Sequence, residues 1–422
     1  NRNITKNGNG KSGKKSIVIP LNMIINLSLL FLCVILTTAE KKDGYCDLKE
    51  KTCDGAFLNE KFIIYDVNPP EGFNLRRDVY MRFAIMLSDA RQHHKNWKLI
   101  LPPWYNLYHW KAKQNNYPLY WSSFFDLKSL KKFAPVVELH EVFSKIDSNI
   151  FTIDRLYVLQ NFPDAFENGE FRDKWEIEGN CDYGGSFWGY KNITVKETIC
   201  VKYQGRISNL WELISLNPSD KFVMFAHGEI PLHDQYGTKK FWDCRRSMKF
   251  NKNLINTAKK YISEHFDCNN EKCTTYISIH WRRQDFARSR KKDVPSIKGT
   301  VKQIDNAIKT YNSQIVNIFI ASDAQNSEII NLEKQLNDIG YKVHFYLPTQ
   351  SELDKFKDGG VAIIDQIICS HAAYFIGTHE STFTFRIQEE REILDFNSST
   401  TFNRLCPDNG RCERPSKWKI VY

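Results

Sequence analysis

A chain of 422 residues, 42% of them hydrophobic, has ample material for a core and exceeds one ordinary domain, so two domains of similar size are expected. The formal net charge is +10, but half of it comes from Arg2, Lys6, Lys11, Lys14 and Lys15, with no acid among the first fifteen residues. No long basic run follows, which argues against a nucleic-acid partner.

Residues 17–38 are mostly apolar and follow the basic stretch, the pattern of a signal peptide or signal anchor. A signal peptide is preferred, because the strongest apolar core runs only from Leu27 to Thr37 and Thr37-Thr38-Ala39-Glu40 offers small residues for cleavage. Either way the body of the chain is expected in the secretory pathway, with membrane contact only through this segment. Residues 61–67 (KFIIYDV) predict a strand that runs into Asn68-Pro69-Pro70-Glu71-Gly72-Phe73-Asn74. From Leu75 to about Ala90, Val79, Phe83, Ile85 and Met86 recur on one helical face. Trp97–Leu101 predicts a second strand, completing the βαβ rhythm of a parallel sheet. Residues 104 to about 205 read as aromatic and irregular.

The second half repeats the rhythm. Helices are expected over 250–265, 297–312, 328–340, 360–373 and 382–392, with Gly340 at a C′ position. Strands are expected over 276–280, 315–320, 343–347 and 374–377. The resulting α/β architecture is two Rossmann-like domains facing across a cleft: a basic and apolar N-terminus over 1–40, then domains over 41–245 and 246–422.

Of eleven cysteines, Cys33 lies in the apolar segment, leaving an even ten. Close spacing suggests disulfides Cys46 with Cys53, Cys181 with Cys200, Cys268 with Cys273, and Cys406 with Cys412. Cys244 and Cys369 remain, the latter expected as a buried thiol. No CxxC or HxxxH spacing suggests zinc. Asn192-Ile193-Thr194 and Asn397-Ser398-Ser399 are candidate glycosylation acceptors.

Four constellations carry chemistry. Gly72 permits close backbone approach after the first strand, and Glu71 could take a proton from an acceptor hydroxyl. A solvated glutamate at a helix start is the commoner explanation on these residues alone. His280-Trp281-Arg282-Arg283 ends a buried strand, where arginine meets phosphate well. By alternation Arg282 shares a side with His280, while Arg283 faces away toward Asp285; a surface ion-pair cluster explains it equally. Gly377 to Arg386 leads hydroxyls into a helix, suiting either a phosphate or an ordinary cap. Asp365 is a lone acid in an apolar helix, needing a base ring or a protein cation as partner. No GxxxxGK[ST] pattern occurs, and no GxGxxG pattern follows a predicted strand.

In order along the chain, Asp66-Val67-Asn68-Pro69-Pro70-Glu71-Gly72-Phe73-Asn74, Leu101-Pro102-Pro103-Trp104, Leu107-Tyr108-His109-Trp110, Phe187-Trp188-Gly189-Tyr190, Arg245-Arg246-Ser247-Met248, Asp358-Gly359-Gly360-Val361 through Asp365-Gln366, and Ser381-Thr382-Phe383 through Leu394 closely resemble the GDP-fucose protein O-fucosyltransferases, in the branch that modifies thrombospondin type 1 repeats. The similarity spans 61–422. The resemblance implies a GT-B fold and an inverting transfer of L-fucose from GDP-β-L-fucose to Ser or Thr hydroxyls of folded, disulfide-bonded repeats in the endoplasmic reticulum lumen. It implies Glu71 as catalytic base and Arg282 on the diphosphate. Pro70, Gly72, Phe73, Asn74, His280, Trp281 and Asp285 would line the donor site, Asp365 would hold the guanine, and Thr382 and Phe383 would complete the phosphate cradle. It implies no cofactor and no metal, and the sequence has no Asp-x-Asp pair. Trp281, Gln284 and His379-Glu380 depart from the family pattern. The rival reading is a catalytically weak or silent module that binds folded repeats on the same fold; Glu71 together with Arg282 argues against it.

Overall fold

The first sheet is built on near-continuous apolar strands, as expected where helices cover both faces. In this computed structural model, which describes residues 59–108, 110, 118–146, 148–163, 172–234, 236–409 and 412, seven strands form it. They are β1 (Lys61–Tyr65), β2 (Trp97–Leu101), β3 (Val136–Glu138), β4 (Phe151–Gln160), β5 (Lys174–Asn180), β6 (Ile193–Gln204) and β7 (Phe222–Ala226). The order is β3-β2-β1-β7-β4-β6-β5, parallel except for the β5–β6 pair. Ile63 at its centre pairs with Leu99 on one side and Val223 on the other.

The irregular middle expected from sequence is overturned by β4 and β6. Asp154 and Arg155 interrupt the apolar pattern of β4 and hide it. Both find partners from distant segments: Arg155 Nε donates to Asp220 Oδ2 at 2.7 Å, and Asp154 pairs with Lys196 while its Oδ2 accepts from the N–H groups of Lys221 and Phe222, each at 2.9 Å.

Helix α1 (Phe73–Asp89) follows β1, and α2 (Lys239–Ser247) and α3 (Lys252–Phe266) lead to the second sheet. That sheet has five parallel strands, β8 (Tyr276–Trp281), β9 (Asn317–Ser322), β10 (Lys342–His344), β11 (Tyr374–Gly377) and β12 (Asn403–Arg404), in the order β10-β9-β8-β11-β12. Its helices are the short α4 (Gln284–Ser289), then α5 (Ile297–Tyr311), α6 (Asn326–Asn337), α7 (Gln350–His371) and α8 (Thr382–Ile393). On β8 the side chains alternate. Ile277, Ile279 and Trp281 join an apolar cluster with Ile304, Ile308, Leu332 and Leu336 from α5 and α6. Ser278, on the other face, donates to Cys369 O of α7 at 2.8 Å.

Gly340 adopts φ +98° and ends α6 as expected: its N–H reaches Asn337 O and the next N–H reaches Leu336 O, the paired bonds of a Schellman turn. Helix α7 begins ten residues before the expected start, and Lys357 (φ 56°) interrupts it. Gly359 lets the helix press on the first half: a Cβ there would stand 2.8 Å from both Phe124 and Trp110.

Disulfides join Cys181 to Cys200, Cys268 to Cys273 and Cys406 to Cys412, while Cys244 and Cys369 are buried thiols. Cys46, Cys53 and the N-terminal apolar segment lie outside the described residues. No helix among the described residues is long and apolar enough to cross a membrane. Asn192 and Asn397 are exposed; Asn192 Nδ2 donates to Asn149 O, and Asn397 Oδ1 accepts from Ser399 N–H.

Candidate functional site

Strand order reverses at β1/β7 in the first sheet and at β8/β11 in the second. In open parallel sheets, the crevice beyond the carboxyl ends at such a point receives ligands. The sequence-predicted residues gather at these two points.

At β1/β7, Asn68 to Glu71 form a turn closed by Glu71 N–H on Asn68 O at 2.9 Å. Arg76 straps the turn from α1. Its Nε donates to Glu71 O at 3.1 Å, and its Nη2 donates to Val67 O at 3.0 Å and Asn68 O at 3.1 Å. Gly72 is the N-cap of α1, and Pro70 is exposed on the turn. The half-buried Glu71 lines a cavity of about 590 Å³ with Asn68, Gln160, His227, Glu229 and Ile230. Burial, and then the charge of Glu229, push its carboxyl above the usual range against the pull of Arg76.

The side chains of Phe73 and Asn74 do not line this cavity. Phe73, 6% exposed, packs on Trp104 and Phe124 at centroid distances of 4.7 and 5.4 Å. Asn74 Oδ1 accepts from Gln366 Nε2 at 2.8 Å and Arg77 Nη1 at 3.3 Å. An apolar ring at the first turn of an amphipathic helix belongs to the core, and a half-buried amide takes the nearest donors.

At β8/β11 a hydroxyl network fixes the backbone. Thr384 Oγ1 accepts from Thr378 N–H at 2.9 Å and lies 2.8 Å from His280 Nδ1. Thr378 Oγ1 donates to His280 O at 2.8 Å and accepts from Arg282 N–H at 3.0 Å. Gly377 is required here, since a Cβ would stand 2.2 Å from Thr384 Cγ2. The buried His280 ring stacks on Phe383 with centroids 4.4 Å apart. Burial, and then Arg282, push His280 down to about 3, so the imidazole is neutral. Thr382 opens α8 behind Ser381, with Thr382 and Phe383 half-exposed.

The Arg282 guanidinium lies between Asp285 Oδ1 and Asp323 Oδ2, each at 2.7 Å. The expected Arg283–Asp285 pair does not form. Arg283 turns away to Glu328 Oε1 at 2.6 Å and lies over the Trp281 ring at 5.1 Å. Trp281 itself is fully buried in the apolar cluster. Strand alternation sends it to the opposite face from His280, so its side chain is a core element and not a lining of the site.

Asp365 is half-buried on α7, with no hydrogen bond or ion pair among the described residues, and burial pushes its carboxyl up to about 8. Its neighbour Gln366 binds Asn74 and Arg77 of α1, joining the two halves of the site. Arg245 of α2, 1% exposed, joins α8 through Glu389 at 2.8 Å and Glu390 at 2.9 Å, which explains why these motif residues occur together. Sequence reasoning missed His227 and Glu229. The apolar run of β7 just before them was the available signal. Among the described residues no group of three His, Cys, Asp or Glu is placed to hold a metal ion.

The family model described as GDP-fucose protein O-fucosyltransferase matches residues 62–394. The chain is 40% identical over 401 residues to GDP-fucose protein O-fucosyltransferase 2 of Homo sapiens, covering 87% of this chain and 91% of that one. It is 37% identical over 434 residues to the protein of the same name from Caenorhabditis elegans, covering 94% and 99%. Among solved structures, POFUT1 in complex with GDP-fucose superposes with a TM-score of 0.55 at 14% identity, over 83% of this chain and 97% of that one. That likeness is one of fold, the two-sheet GT-B arrangement described above. With the family model covering most of the described residues and relatives well above 30% identity across nearly their whole length, the chain belongs to the GDP-fucose protein O-fucosyltransferase family.

Proposed function

We propose that this protein transfers L-fucose from GDP-β-L-fucose to a Ser or Thr hydroxyl of folded thrombospondin type 1 repeats, with inversion, in the lumen of the endoplasmic reticulum. The observation that carries the reading is the pairing of Glu71 and Arg282 at the two strand-order reversals, with Gln366 tying the helices beside them. The acceptor class rests on the ordered motifs from Asp66 to Leu394, and the compartment rests on the chain's own disulfides and on a disulfide-bonded acceptor.

In the proposed reaction Glu71 takes the proton of the acceptor hydroxyl. The hydroxyl oxygen bonds to the anomeric carbon as the bond from that carbon to the β-phosphate oxygen breaks, and GDP leaves with the electron pair. Attack opposite the departing GDP inverts the centre. The raised basicity of Glu71 suits this task. Arg282 has five N–H donors. Asp285 and Asp323 fix its plane, and the remaining donors, with the N–H groups at the start of α8, face the charge that develops on the diphosphate. Neutral His280 adds a dipole without a competing charge. Asp365 accepts from the guanine ring N–H groups. The mechanism calls on no cofactor and no metal.

Incubation of the purified protein with GDP-fucose and a folded repeat is expected to add one fucose mass to the repeat, and none to the reduced repeat. No addition to the folded repeat overturns the proposal. Glu71→Gln is expected to keep GDP affinity while turnover falls by about 10²-fold or more.

A further inference from the structure

A second carboxylate shares the cavity with Glu71. Glu229 follows β7 through His227, with φ 58°, and Gly228. Gly228 N–H donates to Asp66 O at 2.8 Å, and a Cβ on Gly228 would stand 3.0 Å from Phe83 and 3.2 Å from Asp66 O, so this loop is pressed against the end of β1. Glu229 Oε2 accepts from Asn68 N–H at 3.2 Å. Asn68 is the residue whose carbonyl closes the Glu71 turn. Arg82 Nη1 fixes the loop in turn, donating to Glu229 O at 2.8 Å and Pro231 O at 2.7 Å. His227 Nδ1 lies 3.4 Å from Glu229 Oε1.

We propose that Glu229 is a positioning residue for Glu71: it pins the turn that carries the base and sets a second negative charge against it, with His227 holding that charge in place. The inference rests on Glu71 being the base. Two carboxylates in one partly closed cavity disfavour joint ionisation. The surroundings decide which one yields. Burial pushes Glu229 up, but His227 and the Asn68 N–H outweigh it and hold Glu229 below the usual range. Glu71 is pushed up, so it is the carboxylate that takes the proton. Arg76 of α1 acts on Glu71 and is itself paired with Asp66, and His227 and Glu229 line the cavity from the β7 side. The end of β4 contributes only Leu159, Gln160 and Asn161, and Tyr183 reaches Asp66 at 2.6 Å.

The test is the pH profile of kcat/KM for a folded repeat, with GDP affinity as the check on folding. Glu229→Gln keeps an acceptor for Asn68 N–H and removes the charge. The acid limb is expected to move to lower pH by about half a unit or more, with a lower kcat and an unchanged KM for GDP-fucose. Glu229→Asp is expected to return the limb toward that of the unaltered protein. A Glu229→Gln protein with intact GDP affinity and an unmoved limb overturns the inference. Should that variant lose GDP binding, His227→Gln at the cavity rim gives the readout with opposite sign, because a cation is lost and the limb moves to higher pH; an unmoved limb again overturns it. A Glu71→Gln protein of full turnover would instead sink the base assignment, whereas an inactive one beside an unmoved Glu229→Gln limb sinks only the positioning role.

Discussion

Arg77 Nη1 donates to Gln366 Oε1 at 2.8 Å, and this hydrogen bond ties the helix behind Glu71 to the helix that carries Asp365. The guanidinium is wholly buried, 5.7, 5.4 and 5.2 Å from the rings of Phe73, Phe125 and Phe250. Its Nε and Nη2 find no hydrogen-bond partner among the described residues. Burial, and then Arg245 and Arg386, push it well below the usual arginine range. Gln366 is therefore the strongest acceptor of a costly buried cation.

Gln366→Leu removes that acceptor and leaves the cation in place. A stability loss of about 1.5–3 kcal/mol is expected, read as a lower urea midpoint with an unchanged slope. The KM for GDP-fucose is expected to rise more than kcat falls, because Asp365 is the next residue along the helix. An unchanged midpoint would mean that Arg77 finds another acceptor.

Trp281 offers a sharper separation of core from site. Its place in a strand leading to Arg282 invites a ligand role, yet its ring is buried against α5 and α6. Trp281→Leu is expected to cost about 2 kcal/mol or more through the cavity it leaves, with GDP affinity unaltered at a temperature where the variant is folded. A large fall in GDP affinity without loss of stability would put the ring back in the site.

The same residue shows what the sequence conveyed and what it concealed. Strands with unbroken apolar runs, such as β1, β2 and β8, were legible, and so were the loops that follow them, because ligand chemistry clusters at strand ends. β4 was not, because its Asp154 and Arg155 are neutralised by Lys196, Asp220 and Glu197, partners 42 or more residues away along the chain. His227 and Glu229 were hidden for a related reason. They meet Glu71 only because β7 inserts beside β1, a pairing across about 160 residues that no local spacing encodes. Alternation on β8 was available from sequence and already opposed a lining role for Trp281. The resemblance of its neighbours outweighed it.

The Cys181–Cys200 disulfide has a reach beyond stability. It anchors the segment carrying Tyr183, whose hydroxyl donates to Asp66 Oδ2 at 2.6 Å; Asp66 Oδ1 in turn accepts from Val67 N–H at 2.8 Å and pairs with Arg76 at 3.5 Å. Replacing both cysteines with serine is expected to cost about 3 kcal/mol for a loop of this length. Turnover is expected to fall several-fold as well, because the strap on the Glu71 turn is loosened. The Cys268–Cys273 pair lies just before β8, at the end of that strand away from Arg282, and its serine variant is expected to lose stability with kcat retained. Equal kcat for the two variants would detach Tyr183 from catalysis.

Asp365 and His280 give the stability curve opposing slopes. Burial holds His280 at about 3, below an unfolded value of about 6.5, so the unfolded chain binds more protons between those values and stability rises with pH up to about 6.5. Burial holds Asp365 at about 8, above an unfolded value of about 3.9. There the folded chain binds the extra proton, so stability falls as pH rises from about 4 to about 8 and is level beyond. Asp365→Asn is expected to flatten that decline, read as melting temperature against pH for the ligand-free protein. A guanine offering ring N–H groups needs the ionised carboxylate, so GDP binding at pH 7 is expected to release up to one proton. Calorimetry in two buffers of different ionisation enthalpy measures it. Proton release that persists in Asp365→Asn, or none in the unaltered protein, would take Asp365 out of the guanine contact.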